Sequence, residues 1–149
     1  MCFHNNNFTI FPLGPAIDAN GGLEYLNLSW NHLRGKGGIA IGRGLRANCS
    51  LKTLNLSWNG FADEGAAAVG ESLKENNTLT DLDLTNNRIS TQGALALSKG
   101  IQVNNTLKIL RFVKTTLHRC TTYTGEITTD DVKILFECFD ESSERDIHD

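Results

Sequence analysis

Apolar residues return along this chain at a fixed step of 28 positions. LEYLNLSWNHL begins at Leu23, LKTLNLSWNGF at Leu51, LTDLDLTNNRI at Leu79, and a degraded copy, LKILRFVKTTL, at Leu107. In the first three copies Leu26 and Leu28, Leu54 and Leu56, and Leu82 and Leu84 alternate with polar residues, which is the period-two signature of a short strand with one apolar face. Behind each strand the period lengthens to that of a helix. Ala40, Ile41, Gly44 and Leu45 follow Gly37, and the columns return as Gly65, Ala68, Val69, Ser72 and Leu73, then as Gly93, Ala96, Leu97, Gly100 and Ile101. A unit of one strand and one helix cannot bury its apolar side alone. The pattern therefore predicts an α/β solenoid of stacked coils, a curved parallel β-sheet with outer helices.

Polar residues punctuate the repeat. Asn31, Asn59 and Asn87 follow the strands, where a buried amide can bond the backbone of the turn leaving the strand and of the next coil, forming a structural ladder. The fourth copy has Thr115 there, without an amide, so the array is expected to end or fray at that point. Asp63 and Thr91 stand where helix N-caps belong, and Asn48, Asn76 and Asn104 where a helix ends in a left-handed cap. The glycine column predicts helices packed closely against the sheet and one another.

Three segments follow. Residues 1–22 hold a partial N-terminal repeat, because LGPAIDANGG aligns with IGRGLRANCS one step later. Residues 23–112 are the array, three full repeats plus a fourth strand. Residues 113–149 read as an irregular segment with a C-terminal amphipathic helix and an acidic tail, Val132, Leu135, Phe136 and Phe139 making the helical stripe behind Thr128 or Thr129 as N-cap. That helix serves to cap or dock. A sharper reading compares Asp140, Ser142, Glu144 and Ile147 with the first half of an EF-hand calcium loop, but Arg145 occupies the position that needs glycine. The acidic-tail reading is the simpler one.

At 149 residues and 40% hydrophobic the chain suits one small domain that buries a continuous core only by stacking. The net charge of −3 conceals an asymmetry, since nine acidic and two basic residues lie between Glu126 and Asp149. The array itself is only mildly basic, which gives no reason to expect nucleic-acid binding. No apolar run is long enough for a membrane helix, and MCFHNNNFTIF lacks the plan of a signal peptide, so a cytoplasmic location is expected, with the nucleus as alternative. Cys2, Cys49, Cys120 and Cys138 are scattered without metal-ligand spacing and are expected to be reduced thiols. No metal or other cofactor is expected. The Asn-x-Ser/Thr triplets at Asn27, Asn48, Asn55, Asn76 and Asn104 recur in step with the repeat and are read as by-products of it, not as glycosylation sites.

The 28-residue step, the Asn column and the helix EGAAAVGESLKENNTL resemble the ribonuclease-inhibitor class of leucine-rich repeats, shared with NOD-like receptors and the Ran GTPase-activating protein. LNLSWNHLRGKGG and WNGFADEGAAAVGESL are most similar to the leucine-rich repeat-containing protein 74 group. The resemblance spans roughly Leu13 to Phe112. It implies a solenoid that binds other proteins along its concave sheet.

Candidate partner-binding residues are accordingly the outward strand positions Tyr25, Asn27, Thr53, Asn55, Asp81, Asp83 and Arg111, with Trp30, Trp58 and Asn86 at the strand exits. Ser29, Ser57, Thr85, Ile109, Val113 and Lys114 share these columns. Adjacent strands lie about 4.8 Å apart, so Trp30 and Trp58 are expected to stack, either as an exposed hot spot or as a roof over the core edge. Asp81 and Asp83 either select a basic partner or are merely solvated. No nucleophile and base stand at recognisable spacing, and His4, His32, His118 and His148 are scattered, so catalysis is not expected. The expected function is a non-catalytic protein-protein interaction module. Its rivals are a GTPase-activating regulator and a nonfunctional truncated isoform, and self-association through an uncapped first coil is a further expectation.

Overall fold

A computed structural model describes residues 12–116 and 119–126, with side chains as far as residue 112. The elements are α1 (Leu13–Ala19), β1 (Tyr25–Asn27), α2 (Arg34–Ala47), β2 (Thr53–Asn55), α3 (Ala62–Leu73), β3 (Asp81–Asp83), α4 (Thr91–Ile101), β4 (Ile109–Thr116) and β5 (Arg119–Glu126). The strands form one sheet in sequence order, β1 to β4 parallel and β5 antiparallel. Equivalent residues pair across it. Leu26 faces Leu54, Leu54 faces Leu82 and Leu82 faces Leu110, so the 28-residue step of the sequence is the step of the ladder.

One core runs the length of the array. Leu54, Leu56, Leu82 and Leu84 from the strands meet Ile41, Leu45, Val69 and Leu73 from the helices, all with no exposed surface. Phe61 fills the column that holds Leu33 and Ile89 in the neighbouring coils. Burying each such side chain contributes about 1.5–3 kcal/mol, and in a stack most of that gain comes from the coil next door.

The helices approach one another more closely than the expected columns imply. Ala40, Ala68 and Ala96 are only half-buried, whereas Gly38, Ala66 and Ala94, and Gly42, Gly70 and Ser98, are buried. The reason is that each helix has two covered flanks, one on the sheet and one on the adjacent helix. A Cβ on Gly42 would lie 2.7 Å from the Ala68 carbonyl oxygen, and one on Gly70 the same distance from that of Ala96. On the opposite flank, Gly44 lies against the Gly14 backbone and Gly100 against that of Gly70, again with no room for a Cβ.

Two ladders of asparagine amides hold the coils in register, where the sequence predicts one. Asn59 is buried; its Nδ2 donates to the Leu56 carbonyl at 2.9 Å in its own coil and to the Leu28 carbonyl at 2.8 Å in the coil before. Its Oδ1 accepts from Asn31 N–H at 2.9 Å, and Asn87 repeats the arrangement one coil on. The bridge thus runs to the preceding coil, a correction to the expectation that it reaches the next. Asn48, Asn76 and Asn104 form the second ladder. Asn76 Nδ2 donates to the Leu45 and Asn48 carbonyls at 2.7 and 3.0 Å, while its Oδ1 accepts from Thr78 and Leu79 N–H. Asn48 and Asn104 do likewise. None of the three is left-handed. An extended backbone at Asn48 turns the amide inward, so these residues are cross-links between coils instead of left-handed caps.

The helix starts also differ from expectation. Ser90, not Thr91, caps α4, accepting from Gln92 N–H at 3.2 Å. Asp63 lies in the first turn of α3 and does not cap it; its carboxylate accepts from Ser90 N–H at 2.7 Å and Ser90 Oγ at 2.5 Å, fastening the next coil. After β4 the solenoid gives way to an antiparallel pair. Strands β1 to β3 stop after three residues because the chain turns in toward Asn31, Asn59 or Asn87, whereas with Thr115 in that column β4 runs on for eight and pairs with β5. Residues 113–116 and 119–126, expected to be irregular, thus carry extended structure. The stripe from Val132 to Phe139 and the calcium-loop positions lie outside the described residues.

Candidate functional site

Turned away from the helices, the sheet presents two columns of side chains set by the strand register. Tyr25, Thr53, Asp81 and Ile109 form one; Asn27, Asn55, Asp83 and Arg111 form the other. A third column, Trp30, Trp58 and Asn86, stands at the strand exits, where Trp30 N–H donates to the Ser57 carbonyl and Trp58 N–H to that of Thr85. The coils therefore stay in step past the strands.

The two indoles stack. Their ring centroids are 4.3 Å apart with planes inclined by 10°, and 49% of Trp30 and 45% of Trp58 is exposed. Half of this aromatic surface therefore faces solvent instead of roofing the core. The backbone that holds it is left-handed, with φ of 62° at Trp30, 59° at Trp58 and 55° at Asn86. For residues with a Cβ that conformation costs roughly 1–2 kcal/mol each. The two flanking hydrogen-bond systems impose it, the strand ladder before and the Asn ladder after.

The second column is bound more tightly than the sequence indicates. Asn55 Oδ1 accepts from Ser57 N–H at 3.0 Å and Ser57 Oγ at 2.8 Å; Asp83 Oδ1 accepts from Thr85 N–H at 2.9 Å and Thr85 Oγ1 at 2.8 Å; Asn27 Oδ1 accepts from Ser29 N–H at 2.9 Å. These are Asx turns that shape the strand exit, and Ser29 and Ser57 are buried beneath them. The signal was in the chain: Asn or Asp two residues before Ser or Thr. Asn48, Asn76 and Asn104 use the same two-residue spacing in the second ladder, so the Asn-x-Ser/Thr triplets that recur with the repeat are turn-forming elements of it.

The two aspartates are not equivalent. Arg111 faces Asp83 in the register but reaches diagonally to Asp81, with Nη1 2.6 Å from Oδ1 and Nη2 3.2 Å from Oδ2. The hydrogen bond to Asp81 raises the guanidinium pKa above its ordinary value, partial burial works against that rise, and the Asp81 and Asp83 charges add to it. Asp81 and Arg111, two candidate contact residues, thus satisfy each other within the chain. Thr53 stands half-buried between them and Tyr25, which is 47% exposed.

Among the described residues no group of His, Cys, Asp and Glu could hold a metal ion, and no helix is long and apolar enough to cross a membrane. Cys49 is a free, exposed thiol.

Stacked strand-turn-helix coils around a leucine core, locked by asparagine amides, define a leucine-rich repeat solenoid. Comparison with known proteins agrees. Residues 23–42, 47–70 and 75–98 match the Leucine Rich repeat family. No match was found among curated proteins. A solved structure described as Leiomodin-1 Actin-Binding Site 2 is similar, with a TM-score of 0.68 and 21% identity over 95% of this chain and 78% of that one. At that identity the likeness speaks to the fold.

Proposed function

We propose that this protein is a non-catalytic protein-protein interaction module that binds a protein partner on the concave side of its sheet. The supporting observation is the exposed indole stack at the strand exits. Large, rigid aromatic surface left in water at a conformational cost is the composition of an interface hot spot. Tyr25, Thr53, Asn55 and Asn86 extend it along the columns, and the Asx turns and the Asp81–Arg111 pair hold the surface in one shape, which lowers the entropy lost on binding. The finer resemblance, to the ribonuclease-inhibitor class and the leucine-rich repeat-containing protein 74 group, goes with this reading, as does a cytoplasmic location. The similar solved structure is described as an actin-binding site, which makes actin a reasonable first partner to assay.

The test is affinity capture with the intact chain and with a Trp30→Ala, Trp58→Ala double variant. Loss of the captured proteins in the variant is expected; unchanged capture would show the indoles to be structural and remove the reading. The GTPase-activating alternative is checked by mixing the protein with a GTP-loaded small GTPase and following phosphate release, where no acceleration is expected.

A further inference from the structure

We propose that the lip formed by Asp83 and Trp58 receives a cationic side chain, arginine or lysine, of a partner protein. This rests on the concave-face reading and specifies the chemistry of its partner. The argument begins with a difference between coils. In the first two, the Asx turn at the strand exit is made by an amide, Asn27 or Asn55, and needs only one acceptor oxygen. In the third, Asp83 makes the same turn through Oδ1. Its second oxygen therefore adds nothing to the turn, and Oδ2 has no hydrogen bond or ion pair among the described residues.

The cation that faces Asp83 across the register does not neutralise it. Arg111 is committed to Asp81 by both terminal guanidinium nitrogens, so among the described side chains of the third and fourth strands two carboxylates meet one guanidinium, and Asp83 is left without an ion pair. The other described carboxylate on this side, Glu24 at the strand entry, is paired with Lys52 at 2.7 Å. The backbone links this carboxylate to the aromatic stack. Trp58 N–H donates to the carbonyl of Thr85, the residue whose own N–H and hydroxyl hold Asp83, so carboxylate and indole are joined through a single intervening residue. Trp30 covers one face of Trp58, and the other looks toward the third coil, which carries Asp83 and the exposed Asn86. A guanidinium or ammonium placed there pairs with the free oxygen and lies against an indole face, the combination that favours cations at protein surfaces.

The chain's only two tryptophans make up the stack, so their fluorescence reports on the site directly. The full chain is titrated at low salt with a glycine-arginine peptide and, separately, with its glycine-glutamate counterpart. A saturable fluorescence change is expected with the arginine peptide alone. Asp83→Asn keeps the acceptor that Asn27 and Asn55 use and removes the charge, so it should leave the fold intact and weaken the arginine peptide by about fivefold. Glu64→Gln, which removes a carboxylate from the first turn of α3, should not change the affinity. No saturable binding of the arginine peptide, equal affinity in Asp83→Asn, or an equal loss in Glu64→Gln overturns the proposal. Failure of the underlying reading looks different: capture of proteins then persists in the Trp30→Ala, Trp58→Ala double variant, whatever Asp83→Asn does.

Discussion

At the scale of single residues, the amides carry more of this structure than any charge does. Asn59 satisfies carbonyls in two coils and two backbone N–H groups in the coil before it, with 2% of its surface exposed. Truncation would leave several buried backbone groups without partners, at about 1–3 kcal/mol for each. Asn59→Ala is expected to lower stability by about 3 kcal/mol or more, read as a shift in the urea midpoint at constant slope; a loss below about 1 kcal/mol would mean that water replaces the amide. The stacked indoles should behave in the opposite way. Removing Trp58 forfeits a stacking term of roughly 0.5–1.5 kcal/mol but eases a left-handed backbone costing a similar amount. The double tryptophan variant should therefore stay folded, which makes its capture experiment interpretable. The ion pairs of Arg46 with Glu75 and Lys74 with Glu71 are exposed and contribute little to the balance.

At the scale of elements, intrinsic preference and packing point in opposite directions in the helices. Alanine is a better helix former than glycine by about 1 kcal/mol, so Gly70→Ala would stabilise an isolated α3. Against the Ala96 carbonyl, 2.7 Å from the new Cβ, it forces α4 away. A net destabilisation of about 1–3 kcal/mol is expected, seen as a lower melting temperature. Gly22→Ala, where the Cβ meets nothing within 4 Å, should leave the melting temperature nearly unchanged and serves as the comparison. The hydrophobic periodicity alone placed Ala40, Ala68 and Ala96 on the buried side because it knows one face per helix. Which second flank is covered depends on the angle at which the neighbouring helix lies, and no local pattern encodes that.

At the scale of the whole molecule, stability belongs to the stack. Leu54, in the second strand, has coils on both sides and no exposed surface. Leu54→Ala should cost about 3–5 kcal/mol and lower a single cooperative transition; two resolved transitions would show that the coils fold independently. The same stacking creates the binding surface, since no one coil owns it. Trp30 and Trp58 come from different repeats, as do Asp81 and Arg111.

Repetition made most of the architecture legible before any coordinates. A 28-residue step with leucines at period two and small residues at helical period admits one arrangement that buries every apolar column, so the strands, the parallel order and the pairing of equivalent residues all follow from composition and spacing. The stacking of the two indoles was legible for the same reason, because identical positions in adjacent coils must lie side by side. What folding alone decided concerns groups whose options are equal until neighbours choose between them. Arg111 had a carboxylate in its own column and another in the next and took the diagonal one; Asp83 kept one oxygen without a partner among the described residues; Asn48, Asn76 and Asn104 became cross-links because the coil beside them offers two carbonyls to their amides. Apolar burial is non-directional and can be read from a pattern, whereas a hydrogen bond needs a distance and an angle, and those exist only once the coils are stacked.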